Sequence, residues 1–120
     1  MKYYAVIDTN VLVSVMLKWN SIPGSVMELV FDGPIVPILN QQIAREYREV
    51  LARPKFHFTE EIIRDVLANI RGRVFYEVVM EERNTEEAYL VTGNIRHFPS
   101  KPFIVTPREM IDIILSDSEG

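Results

Sequence analysis

The chain contains no cysteine, so disulfides and thiolate metal sites are excluded from the outset. It has no apolar run approaching a membrane span, and Asp8 and Asn10 break the longest run near the start. The opening residues lack the basic stretch and small-residue cleavage site of a secretory leader, so a cytoplasmic protein is expected. Basic excess is also missing: 13 Lys and Arg against 17 Asp and Glu give a net charge of −4. That argues against a nonspecific coat on nucleic acid, which is usually basic. A nuclease remains open, because a metal site itself consumes carboxylates and bound cations offset them. There is no internal repeat, low-complexity tract or interdomain linker. At 120 residues, with 48% hydrophobic and 25% charged content, one globular domain is expected. Residues 1–115 would form it, and residues 116–120 would be a polar, frayed tail.

What is present is clearest at the start. Tyr3-Tyr4-Ala5-Val6-Ile7 reads as a buried strand of a parallel sheet and stops on Asp8-Thr9-Asn10. Ligands of such sheets bind beyond the carboxyl ends of the strands, so an acid there is aimed at a site. A metal-binding α/β enzyme is the first expectation. The same three residues could equally be an N-cap and turn, a role all three types favour.

Beyond Asp8, Val11–Leu17 has helical spacing and Ser21-Ile22-Pro23-Gly24 breaks it. Ser25 and Glu28 have capping-box spacing, which predicts a helix over Ser25–Phe31. Ile35–Leu39 is a short strand, and Pro37 favours an edge position. Asn40 caps a helix over Gln41–Leu51, and Thr59 caps another whose apolar face is Ile62, Ile63, Val66, Leu67 and Ile70. Gly72 interrupts that helix, and helical spacing resumes over Val74–Arg83. Ala88–Val91 and Phe103–Val105 are strands. Thr106-Pro107-Arg108-Glu109 is a capping box with proline in the first turn, opening a last helix through Leu115. Alternating strands and helices predict a three-layer α/β/α domain with a central parallel sheet.

Four segments in order resemble the motifs of PIN-domain proteins, in the branch described as toxin components of toxin–antitoxin systems. They are Val6–Ser14, Ile43–Phe56, Tyr89–Asn94 and Ile104–Glu109. The resemblance implies a ribonuclease dependent on Mg²⁺ or Mn²⁺, with RNA as substrate, an antitoxin protein as partner and a homodimer as assembly. It carries the first acid to Asp8, the second to Glu46 and the fourth acidic position to Asn94, which has no charge. Asp8 and Glu46 would hold the metal, and Thr9, Asn10, Ser14 and Thr92 would be supporting polar residues. The third acid departs from the pattern. The family's extra strand and acidic loop have no counterpart between Ile70 and Phe75, and Glu77 is the one nearby candidate.

Such a site would suit a hard, oxygen-loving cation. Arg45, Arg48, Arg53 and Lys55 could meet phosphates or form a solvated helix face with Glu49. Glu46 could instead pair with Arg45 or Arg53. Arg96 and His97 follow Asn94 and could contact RNA, or be polar surface. Trp19 could stack a base or pack at a helix end. Two other classes stay open: a degenerate PIN domain that binds RNA or protein without cutting, and a phosphate-handling domain with Asp8 as nucleophile.

Overall fold

The computed structural model describes residues 2–80 and 88–119. The first strand, β1 (Tyr3–Ile7), lies at the heart of the sheet, flanked by β2 (Ile35–Pro37) and β3 (Ala88–Val91). With β4 (Ile104–Val105) the order is β2-β1-β3-β4, and every pairing is parallel. β2 is therefore an edge, where Pro37 costs no ladder bond to a further strand. Among the described residues five helices complete a three-layer α/β/α domain: α1 (Thr9–Leu17), α2 (Ile22–Asp32), α3 (Gln41–Leu51), α4 (Glu60–Met80) and α5 (Pro107–Glu119).

The core is built from the residues that the apolar periodicities select. Ala5, Val26, Met27, Val30, Ile35, Leu51, Val91 and Met110 have no measurable exposure. Each large aliphatic among them contributes about 1.5–3 kcal/mol by leaving water. Met27 and Met110 are core residues, as the apolar stripes imply.

Register decides where the site forms. Ile7 pairs with Val91, and Val91 with Val105, so three strands end level. The ladder continues one residue further, with Asp8 N–H donating to Val91 C=O at 2.9 Å and Thr92 N–H to Val105 C=O at 2.9 Å. The chain leaves β1 toward β2 on one side and returns to β3 on the other. Between β1 and β3, therefore, lies a switch point with a crevice beyond the carboxyl ends.

The caps expected at Asn40, Thr59 and Thr106 all form. Asn40 Oδ1 accepts from Ile43 N–H at 2.8 Å, and Thr59 Oγ1 from Ile62 N–H at 3.2 Å. The Thr106–Glu109 box closes reciprocally at 2.9 and 3.1 Å.

Three expectations need correction. The helix α2 starts at Ile22, not Ser25, because Ser21 is the cap: its Oγ accepts from Gly24 N–H at 3.2 Å. Pro23 in a first turn forfeits no helical bond, so the segment expected to break α1 opens α2 instead, α1 having ended at Leu17. Nor does Gly72 interrupt α4, which is continuous from Glu60 to Met80. A Cβ at Gly72 would meet nothing within 4 Å, so the glycine costs only its propensity, about 1 kcal/mol. Next to it Arg73 donates to Val30 C=O at 3.2 Å and Gly33 C=O at 2.7 Å, tying α4 to the end of α2. The helical spacing beyond Met80 lies outside the described residues. Finally, the polar tail does not fray at Ser116: α5 runs to Glu119, and Asp117 Oδ2 accepts from the Tyr3 hydroxyl at 2.7 Å.

Candidate active site

Asp8 leaves β1 and caps α1, its Oδ1 accepting from Thr9 N–H at 2.8 Å. The cap uses Oδ1 alone, and Oδ2 points elsewhere. It accepts from Thr92 Oγ1 at 2.7 Å and from Asn10 Nδ2 at 3.1 Å. Thr92 is fully buried, and its oxygen accepts in turn from Asn94 N–H at 3.0 Å. Asn10 Oδ1 accepts from Gly93 N–H at 3.0 Å, so this one amide bridges the turns after β1 and β3.

The helix α3 brings the second carboxylate. Thr9 Oγ1 donates to Glu46 Oε2 at 2.8 Å, while the Thr9 N–H serves Asp8. One buried threonine thus links both acids. The adjacent Tyr47, 2% exposed, donates its hydroxyl to Ile7 C=O and fixes α3 against the end of β1. Burial pushes the Tyr47 phenol well above its ordinary range, and the negative charges of Asp8 and Glu46 push it further. Among the described residues neither acid forms an ion pair, so Glu46 pairs with neither Arg45 nor Arg53.

A cleft of about 450 Å³ opens beside these groups. Asp8, Asn10, Ser14, Asn94 and His97 line it, whereas the buried Thr9 and Thr92 and the exposed Glu46 are outside its lining. The Ser14 hydroxyl donates to Asn10 C=O at 2.9 Å. Asn94 heads a short 3-10 turn, Ile95–His97, with no bond from its side chain to that turn. Of the arginines, Arg45, Arg48 and Arg96 are exposed and outside the cleft lining; Arg53 lines it instead. The reason is geometric, since Arg53 follows the end of α3 at the start of a 3-10 turn, Pro54–Phe56, that folds over the crevice. Phe56 and Phe98, to which no sequence motif gives a site role, also line the cleft. A signal existed, since each aromatic follows a residue of the basic patches within a proline-marked turn. Trp19 is elsewhere: it stacks on Phe31, centroids 6.0 Å apart, and donates to Glu28 at 3.2 Å.

A parallel α/β domain with two carboxylates at its switch point defines a class in which the strand ends form the site. The chain belongs to the PIN-domain family, whose model matches residues 4–86. PIN domains belong to a nuclease superfamily and generally use divalent metal ions. A protein of Methanocaldococcus jannaschii described as uncharacterized is 37% identical over 54 residues. That match covers 45% of this chain and 35% of the relative, so the chain spans about a third of the relative's length. No solved structure gives a significant match.

The donor set fits a divalent ion in part. Glu46 Oε2 accepts one bond and Asp8 Oδ1 one bond, which leaves carboxylate lone pairs available to a cation. All candidate ligands are oxygens, the preference of hard cations. Among the described residues no group of three or more His, Cys, Asp or Glu could hold a metal, so Asp8 and Glu46 stand as a pair. The Glu77 side chain lies outside those described.

Proposed function

We propose that this protein is an endoribonuclease dependent on Mg²⁺ or Mn²⁺ that hydrolyses RNA phosphodiester bonds, acting as the toxin of a toxin–antitoxin pair. The supporting observation is the convergence of Asp8 and Glu46 on Thr9 at 2.8 Å each, with neither acid in an ion pair. A divalent cation held by the two supplies positive charge to offset the phosphate in the transition state and lowers the pKa of water. Thr92 and Asn10 hold Asp8 in its orientation, and Asn94 can orient a water or a phosphate oxygen. Arg53 and His97 supply donors to neighbouring phosphates.

An antitoxin partner follows from the family resemblance, as does a homodimer. Leu17 at the end of α1, Trp19 in the connection that follows and Ile22 at the start of α2, 60%, 47% and 41% exposed, suit a surface that associates. The lack of cysteine is compatible with a reducing cytosol, and no described helix is long and apolar enough to cross a membrane.

Cleavage of RNA should require Mg²⁺ or Mn²⁺ and vanish in Asp8→Asn. Cleavage that persists in that variant rejects the assigned metal site. A second reading, a PIN domain that binds without cutting, is favoured by the absence of a third described acid. Mn²⁺ titration separates the two, since saturable binding abolished by Asp8→Asn supports the nuclease.

A further inference from the structure

Two consecutive residues of α3 hold the two residues that flank Asp8. Glu46 Oε2 accepts from Thr9 Oγ1 at 2.8 Å, and Tyr47 donates its hydroxyl to Ile7 C=O. We propose that Tyr47 is a positioning residue that sets the separation of the Asp8 and Glu46 carboxylates and thereby the affinity of the pair for a divalent cation. This role rests on the reading of those two acids as metal ligands and adds to it the residue that holds them in place.

Ile7 needs that donor because of where its carbonyl points. Along a strand in a parallel ladder, alternate residues turn their peptide groups to opposite neighbours. Tyr3 N–H donates to Pro34 C=O at 2.9 Å and Ala5 C=O accepts from Ile38 N–H at 2.8 Å, so these residues of β1 face β2. Asp8 faces the other way, its N–H donating to Val91 C=O at 2.9 Å. Ile7, two residues beyond Ala5, therefore turns toward β2, which has ended at Pro37. Continuing the register would bring Asn40 N–H to Ile7 C=O, but Asn40 is the N-cap of α3 and no backbone bond joins the two. A buried carbonyl without a donor is costly. The buried Tyr47 phenol takes the place of the missing strand residue.

That bond does more than complete the ladder. Tyr47 reaches the residue before Asp8 and Glu46 the residue after it, so the turn of α3 that carries both is pinned on either side of one acid. Glu46 is exposed, and a long solvent-facing side chain is costly to hold in one geometry. Thr9 Oγ1 restrains its carboxylate by one bond, and Tyr47 restrains the backbone from which it projects. A cation gains from both acids only when they are already held at the productive separation. Groups that orient metal ligands without touching the metal govern affinity by about 10–100-fold. Tyr47 is outside the cleft lining, so its influence runs through Glu46 and Asp8.

The test is Mn²⁺ binding by the purified chain without RNA, at a temperature well below the melting point of every variant. Free Mn²⁺ is counted by its electron paramagnetic resonance signal. Tyr47→Phe keeps the buried ring and deletes the donor, and its dissociation constant should rise about tenfold. Tyr3→Phe removes a phenol bond of similar kind, to Asp117 Oδ2 at 2.7 Å, from the opposite end of β1. It should lower stability and leave Mn²⁺ affinity unchanged. Tyr47→4-aminophenylalanine restores a donor at the same ring position and should recover most of the affinity; it decides the matter if Tyr47→Phe does not fold. The positioning role is overturned if Tyr47→Phe binds Mn²⁺ as the parent does, if Tyr3→Phe weakens binding equally, or if the restored donor leaves affinity low. Absence of saturable binding in the parent overturns it together with the metal reading. Weakened binding in Tyr47→Phe, with no Mn²⁺-dependent RNA cleavage by the parent, refutes the nuclease reading alone.

Discussion

Replacing Thr92 by valine keeps the shape of a fully buried side chain and deletes one hydroxyl. That hydroxyl donates to Asp8 Oδ2 at 2.7 Å and accepts from Asn94 N–H at 3.0 Å. Loss of a hydrogen bond to a charged group costs about 1.5–3 kcal/mol. Asp8 keeps Asn10 Nδ2 at 3.1 Å and is half-exposed, and Asn94 is open to water, so both deserted partners find some compensation. The expected loss is therefore about 2 kcal/mol, or a melting point lowered by roughly 8 °C. Thr92→Ser retains the hydroxyl and gives up one buried methyl, about 1 kcal/mol, so it should fall between. Urea unfolding followed by circular dichroism measures both. Against an Asp8→Asn background the valine should cost at least about 1 kcal/mol less, since the charged acceptor is gone. A valine variant as stable as the parent, or an equal cost in the two backgrounds, refutes the account of Thr92 as the residue that holds Asp8.

Stability should fall as pH rises above 10, because burial and the Asp117 hydrogen bond push the Tyr3 phenol up to about 12. Below pH 10 both states keep the proton; above it the unfolded chain binds fewer protons than the folded one, and the decline ends near the folded value. The Tyr47 phenol is shifted the same way by burial and the two acids, so urea midpoints across this range should flatten in Tyr3→Phe and Tyr47→Phe. Gly72→Ala should stabilise by about 0.5–1 kcal/mol, since nothing stands within 4 Å of the new methyl. Gly24→Ala should destabilise by more than about 3 kcal/mol, because its Cβ would sit 1.6 Å from the Trp19 carbonyl oxygen. Thermal melts of the pair check both signs. Asp117→Ala should cost about 1 kcal/mol and raise amide exchange in the last turn of α5, since the Tyr3 bond at 2.7 Å is lost.

Much of the fold was legible because its signals are local. A strand that stops on Asp8, the Asn40 cap and the Thr106–Glu109 box each involve residues within four positions of one another. The misreadings came where a residue has two local meanings. Pro23 and Gly24 look like breakers, yet a first turn tolerates proline, and Gly24 is required by close approach to Trp19. Gly72 looks like a terminator, and only Arg73 bonding to the end of α2 shows why the helix passes through it.

By itself the sequence determined the alternation of strands and helices, the caps, the apolar stripes and the acid at the end of the first strand. These follow from short-range sterics, hydrogen bonding and periodicity. Tertiary structure alone decided that Thr92 would bond Asp8 across 84 residues and that Thr9 would reach Glu46 across 37. It also brought Arg53 to the cleft rather than Arg45 or Arg48, with Phe56 and Phe98 beside it. The physical reason is register: parallel pairing of β1 with β3 levels their ends, and no local pattern encodes which distant side chains then meet.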